Sequence, residues 1–201
     1  MEQSDIDPQS GCRLPLPRRE DLDAEARQAY DRLAAPDQGG SLRGLRGPGG
    51  ISLHSPELSR LNRPLNQYLR YGSGLGDRLR ELAILVTARE CDSQFEWAAH
   101  EAEAKRAGVS AAIIETIRHR RDAAGLAEAD AAVVTLGREI FGDRRVSSAT
   151  FARCLQFFGR KSLVDLVALM GNYASTAALL CAVDMQLDDG VEPPLPIRRR
   201  P

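Results

Sequence analysis

From about residue 22 to residue 186, apolar side chains in this chain recur at three- and four-residue steps, and no convincing run alternates with period two. A three-to-four-residue recurrence places apolar side chains on one face of a helix, whereas a half-buried strand needs alternation, so the chain is expected to be all-α. The spacing predicts about eight helices. Aromatic residues make up only 5% of the 201 positions, so Leu and Ala must fill most of the core, and the length suits one domain or a compact pair of helical lobes.

Punctuation residues set the expected boundaries. A first helix over 22–33 is followed by the Gly/Pro-rich loop APDQGGSLRGLRGPGG. Ser55 and Pro56 read as an N-cap and first helical position, opening a helix to about Tyr71 that Pro64 bends. Asp77 is placed to cap DRLRELAILVTARE, where Leu79, Leu82, Ala83 and Val86 form an apolar stripe with Glu81 at its edge. The helix beginning SQFEWAAH should end at Ala107, with Gly108 in the left-handed conformation. Ser110 restarts the chain to about His119, and further helices are expected over 127–141, 148–158 and 161–186. The second half follows the helix-pair plan of the first without its ionisable residues and without a residue-level repeat. Residues 1–17 and 187–201, with LPLPRR and VEPPLPIRRRP, are expected to be extended or disordered tails around a single 18–186 domain.

Charge and cysteine usage narrow the function classes. A formal net charge of −1 gives no general attraction to nucleic acid, and none is expected as a partner. Cys12, Cys91, Cys154 and Cys181 form no CxxC pair, which points to reduced thiols rather than a zinc site or disulfide framework. The polar, acidic N-terminus lacks the pattern of a secretory signal, so a cytoplasmic location is expected. LVDLVALMGNYASTAALLCAV is long enough to span a bilayer, but Asp165, Asn172 and Tyr173 favour a buried core helix, and no membrane partner is expected. His54, His100 and His119 lie on different expected helices, and no glycine-rich phosphate fingerprint follows a strand, so neither metal nor nucleotide cofactor is expected.

The chemistry concentrates in ELAILVTARECDSQFEWAAH. Two helices joined by the short Cys91-Asp92 break return antiparallel, which lets Glu81 and His100 face each other. A carboxylate beside an imidazole orients the ring, and such a pair moves protons. Ser93-x-x-Glu96 also fits a capping box, a reading compatible with a direct chemical role for Glu96. Trp97 and Tyr173 are candidate walls of a substrate pocket, with core packing the alternative for Trp97. Asn172 fits either a structural hydrogen bond or a substrate contact. Arg78, Arg80 or Arg89 is a candidate for orienting a substrate carboxylate, pairing with Asp77 or Glu90 being the alternative.

RLRELAIL followed by FEWAAHEAEAKRAGVS resembles the carboxymuconolactone decarboxylase and alkylhydroperoxidase D-like superfamily, over approximately residues 50 to 185 and most specifically over 78–110. The resemblance implies a helical bundle of the alkylhydroperoxidase D-like kind. In the peroxidase branch a glutamate precedes CxxCxxxH by a fixed interval, and Glu81 and His100 keep its nineteen-residue spacing. The two cysteine positions hold Ser93 and Glu96, and Cys91 lies two residues too early, so no resolving dithiol remains for thiol peroxidase chemistry. The decarboxylase branch implies cofactor-independent acid–base chemistry on a small acidic, lactone or quinone-like molecule, as a lyase or isomerase. In that reading Glu81 and His100 are catalytic, and Glu96, Trp97, Tyr173 and Arg89 bind substrate. Two alternatives stand beside it: a non-catalytic binding or assembly protein, and a single-cysteine peroxide reductase using Cys91. Short Ala-rich helices, together with the resemblance, imply a homo-oligomer, whether dimer, trimer or hexamer, with the pocket near a subunit interface.

Overall fold

A computed structural model describes residues 5–35 and 44–196. Among these residues there are eight α-helices and no strands, which is the all-α architecture that the periodicity predicts. The chain divides into two compact units, Met1–Asn66 with Ala178–Val191, and Gln67–Ala177 with Glu192–Pro201.

The first unit holds α1 (Ala24–Ala34), α2 (Pro48–Ser52) and nearly all of α3 (Pro56–Gln67). Asp23 caps α1 by accepting from the Ala26 amide at 2.8 Å. Leu22, Ala26 and Leu53 form a small core, joined by Tyr30, Leu33 and Leu45. Part of the expected Gly/Pro loop, 36–43, lies outside the described residues, as do the outer ends of both tails. Within the remainder, Pro48 opens a five-residue helix where a loop is expected, because it stands at the N-terminal position that needs no N–H. Residues 5–17 carry no α-helix. They are tied down instead: Arg13 donates its amide to Val183 O, and Gln186 donates to Gly11 O, each at 2.8 Å.

In the second unit, a π-helical turn at Tyr68–Gly72 leads to α4 (Asp77–Glu90), and the two-residue turn at 91–92 leads to α5 (Gln94–Arg106). α6 (Ala111–Arg118), α7 (Glu128–Arg138) and most of α8 (Ser148–Ala182) complete it. Helix α4 packs against α5, α6 and α7, and every residue from Glu81 to Arg89 is buried. This corrects the expectation of a one-sided stripe with Glu81 at its edge. A helix enclosed on several sides needs apolar or partnered side chains all round, and Glu81 sits at full depth. Asp77 does not cap α4 either. Gly76, at φ 72°, takes the cap position, and Asp77 lies in the first turn, where its charge favours the helix N-terminus.

Other boundaries fall where the sequence places them. Ser110 caps α6 by accepting from the Ile113 amide, and Gly108, at φ 90°, closes α5 while Val109 donates to Ala104 O at 2.9 Å. α8 is broken at Gly159 (φ 70°, ψ 175°), giving the two expected segments, 148–158 and from 160 onward. α8 is long and apolar enough to cross a membrane by length and composition alone, yet Leu166, Leu169 and Met170 are fully buried within the fold. Asp165 on the same helix accepts from Tyr68 and Lys161. The segment 192–196 is pinned to the second unit by Leu195, a buried core residue whose amide and carbonyl both bond the Gln94 side chain.

Gly137 marks a close approach of α7 to α4, since a Cβ there would stand 2.3 Å from Cγ1 of Val86. Val86 is β-branched and buried, with little room to yield. Gly137→Ala is expected to lose about 1–2 kcal/mol net, the overpacking cost exceeding the gain in helix propensity. Urea unfolding of the variant checks this.

Candidate functional site

The site is built on the α4–α5 hairpin. The hairpin closes tightly because Asp92 adopts φ 52° and the Ser93 amide donates to Ala88 O at 2.8 Å. That bond has a consequence for the predicted capping box. Ser93 is the N-cap of α5 but its hydroxyl makes no cap bond, and its amide, already committed to Ala88, is not available to Glu96. The capping reading of Glu96 is therefore corrected: its carboxyl is not engaged at the helix terminus.

Glu81 and His100 meet as the hairpin geometry predicts. His100 Nδ1 lies 2.8 Å from Glu81 Oε2, and the other carboxylate oxygen accepts from Arg80 Nε at 3.0 Å. Burial pushes the Glu81 carboxyl upward, but the hydrogen bonds and charges of His100 and Arg80 outweigh it and hold the group below its ordinary value. An ionised carboxylate can only accept, so Nδ1 carries the proton of this bond and Nε2 is the nitrogen left for a second partner. Glu81 is 1% exposed and His100 6%, so both members of the pair are buried. Arg80 is itself fixed by Asp77, at 2.7 Å, and by the Arg70 carbonyl, at 2.9 Å.

Tyr173 stands edge-on to the His100 ring, with centroids 5.2 Å apart and planes at 84°. Burial raises its hydroxyl's pKa, and among other charges it feels those of Arg70, Glu81 and Glu96. None of the hydrogen bonds among the described residues uses that hydroxyl. Glu96 lies one helical turn before His100 on α5, on the same face. It is buried, and its Oε2 has no hydrogen-bond partner among the described residues. Burial alone pushes its carboxyl up to about 8, so at neutral pH Glu96 is mainly a carboxylic acid.

The other two predicted contacts are occupied structurally. Trp97 is a core residue whose indole N–H donates to Glu101 at 2.8 Å and whose ring lies under Arg118, 5.1 Å from its guanidinium carbon. Arg89 is buried and pairs with Asp92 at the hairpin turn. Arg78 makes a bidentate pair with Asp130, both bonds at 2.8 Å, joining α4 to α7. Beside Tyr173, Asn172 buries an amide nitrogen without a partner among the described residues.

Arg70 is not among the arginines that the sequence singles out. Its guanidinium lies 5.0 Å from the Tyr71 ring centre, Arg80 lies 5.4 Å from the same ring, and Arg70 Nε is buried without a partner among the described residues. No spacing rule connects Arg70 to a hairpin that begins after it. Only its place in the π-helical turn before α4 brings it near Tyr173.

Cys91 shows the opposite of thiolate activation. Burial, followed by the charges of Glu96, Glu90 and Asp92, pushes its thiol up to about 11.

Residues 56–135 match the model of the carboxymuconolactone decarboxylase family, a family that includes decarboxylases and peroxidase-like members. The match contains Glu81, Arg89, Glu96, Trp97 and His100, while Tyr173 lies beyond it. No curated protein and no solved structure matches the chain.

Proposed function

We propose that this chain, whose residues 56–135 match the carboxymuconolactone decarboxylase family, is a cofactor-independent acid–base enzyme, a lyase or isomerase acting on a small acidic, lactone or quinone-like molecule. The observation that carries the reading is the buried Glu81–His100 hydrogen bond, made through Nδ1 of the imidazole. Glu81 stays ionised and holds the ring by Nδ1, which leaves Nε2 to take a proton from substrate carbon or return one to it. In a decarboxylation the bond to the departing carboxylate breaks, its electron pair remains on the substrate, and a proton delivered through His100 completes the product. Arg70, near Tyr173 and without an acidic partner among the described residues, suits the substrate's carboxylate. The protonated state of Cys91 speaks against a peroxide-reducing alternative.

A panel of compound classes tests this without a named substrate. The protein is incubated in heavy water with β-keto acids, carboxylated unsaturated lactones and quinones, and deuterium entering carbon positions is followed by NMR. Protein-dependent incorporation is expected in at least one class. None in any class would favour a non-catalytic binding protein.

The same reading includes a homo-oligomer. Leu58, Leu61 and Leu65 of α3 recur at helical spacing and are 60%, 65% and 49% exposed, an apolar stripe that a second copy would cover. Light scattering at micromolar concentration should give a multiple of the monomer mass. A monomer would remove this part of the proposal.

A further inference from the structure

Decarboxylation and enolisation share a requirement that Glu81 and His100 do not meet. When a bond to carbon breaks, its electron pair moves onto a neighbouring carbonyl oxygen, and that oxygen needs hydrogen-bond donors. Two side chains beside the pair are of the right kind. Glu96 is a buried carboxyl whose Oε2 has no partner among the described residues, released from the helix terminus because the Ser93 amide bonds Ala88. Tyr173 presents a hydroxyl unused by any hydrogen bond among the described residues, on a ring packed edge-on against His100. A buried polar group without a partner costs stability, and Glu96 Oε2, one helical turn from His100, suggests a ligand that completes it.

We infer that Glu96 and Tyr173 form an oxyanion site beside His100, donating hydrogen bonds to the oxygen of an enolate formed from a carbonyl-bearing substrate. This rests on the acid–base reading above and adds to it the place where the negative charge is held. The burial of each donor keeps it protonated near neutral pH, consistent with donation rather than proton abstraction. No net proton transfer to or from Glu96 or Tyr173 is involved, so both end the cycle as they began. The protons entering or leaving carbon pass through His100.

A phenolate is a stable mimic of an enolate oxygen, and 4-nitrophenol reports its ionisation by colour. The wild-type protein should bind this probe as the anion and lower its apparent pKa. Tyr173→Phe and Glu96→Leu should each weaken anion binding by roughly tenfold or more, and Glu96→Gln, which keeps a neutral donor, should retain part of it. Circular dichroism identifies any variant that fails to fold, and the Phe and Gln substitutions are near-isosteric. Binding of the neutral phenol, or anion binding unchanged in the folded Tyr173→Phe and Glu96→Leu proteins, would overturn the inference. Its failure is separable from that of the acid–base reading. If Glu81→Gln and His100→Ala abolish exchange while the probe binds without ionising, only the oxyanion site falls. If those variants keep full exchange while the probe binds as the anion, the proton pair falls and the site stands.

Discussion

Glu96→Gln should flatten the dependence of stability on pH between about 5 and 8. The folded protein holds this carboxyl up to about 8, against an ordinary value of 4.5, because it is buried, with no compensating partner for its Oε2 among the described residues. The folded state therefore binds the proton more tightly than the unfolded chain does. The resulting contribution to stability is fully present below the unfolded pKa and is lost as pH rises through the folded one. Over that window the wild-type protein loses on the order of 4 kcal/mol, each unit of difference being worth about 1.4 kcal/mol. Glutamine has the same shape and no charge to bury, so the variant should gain on the wild type steadily toward pH 8 and then keep a constant lead. Glu81 does not blur the result. Its folded pKa is lowered, so its contribution is lost only as pH falls below the ordinary carboxylate range. Urea unfolding at half-unit intervals from pH 5 to 9 gives the two curves. Parallel curves would mean that Glu96 is solvated or paired, and would remove the neutral donor on which the oxyanion site depends.

Loss of either partner of the Glu81–His100 pair should lower turnover by about 10²–10⁴-fold, the range for a positioned general acid or base. The two losses should not add, because an imidazole without its carboxylate and a carboxylate without its imidazole are the same broken unit. His100→Ala also leaves Glu81 buried with Arg80 as its one remaining partner among the described residues, a change expected to cost about 3–5 kcal/mol of stability. His100→Gln is the better probe, since its amide N–H can replace the Nδ1 bond while the imidazole Nε2 is lost.

The parts of this architecture that the sequence discloses are local. Helix α4 falls on the very residues of DRLRELAILVTARE, and Gly108, Ser110 and Gly159 punctuate the chain as their chemistry suggests. The Glu81–His100 contact was legible because a two-residue connection between helices leaves few ways to return. What was not legible depends on neighbours distant in sequence. The depth of Glu81 follows from α6 and α7 closing over α4, which no pattern within α4 reveals. Ser93-x-x-Glu96 carries the residues of a capping box, but the hairpin turn hands the Ser93 amide to Ala88 first. Trp97 and Arg89 are residue types suited to a pocket, yet Glu101 and Asp92 engage them elsewhere. Arg70 gave no signal, since an arginine becomes informative only when the acids around it are seen to be otherwise engaged.

The imidazole–carboxylate pair is proposed to move a proton on carbon. Deuterium incorporation into the most reactive compound of the heavy-water panel, compared among wild type, Glu81→Gln and His100→Gln, measures this directly. A fall of at least about a hundredfold in both folded variants is the predicted result, and full incorporation by either one would contradict it.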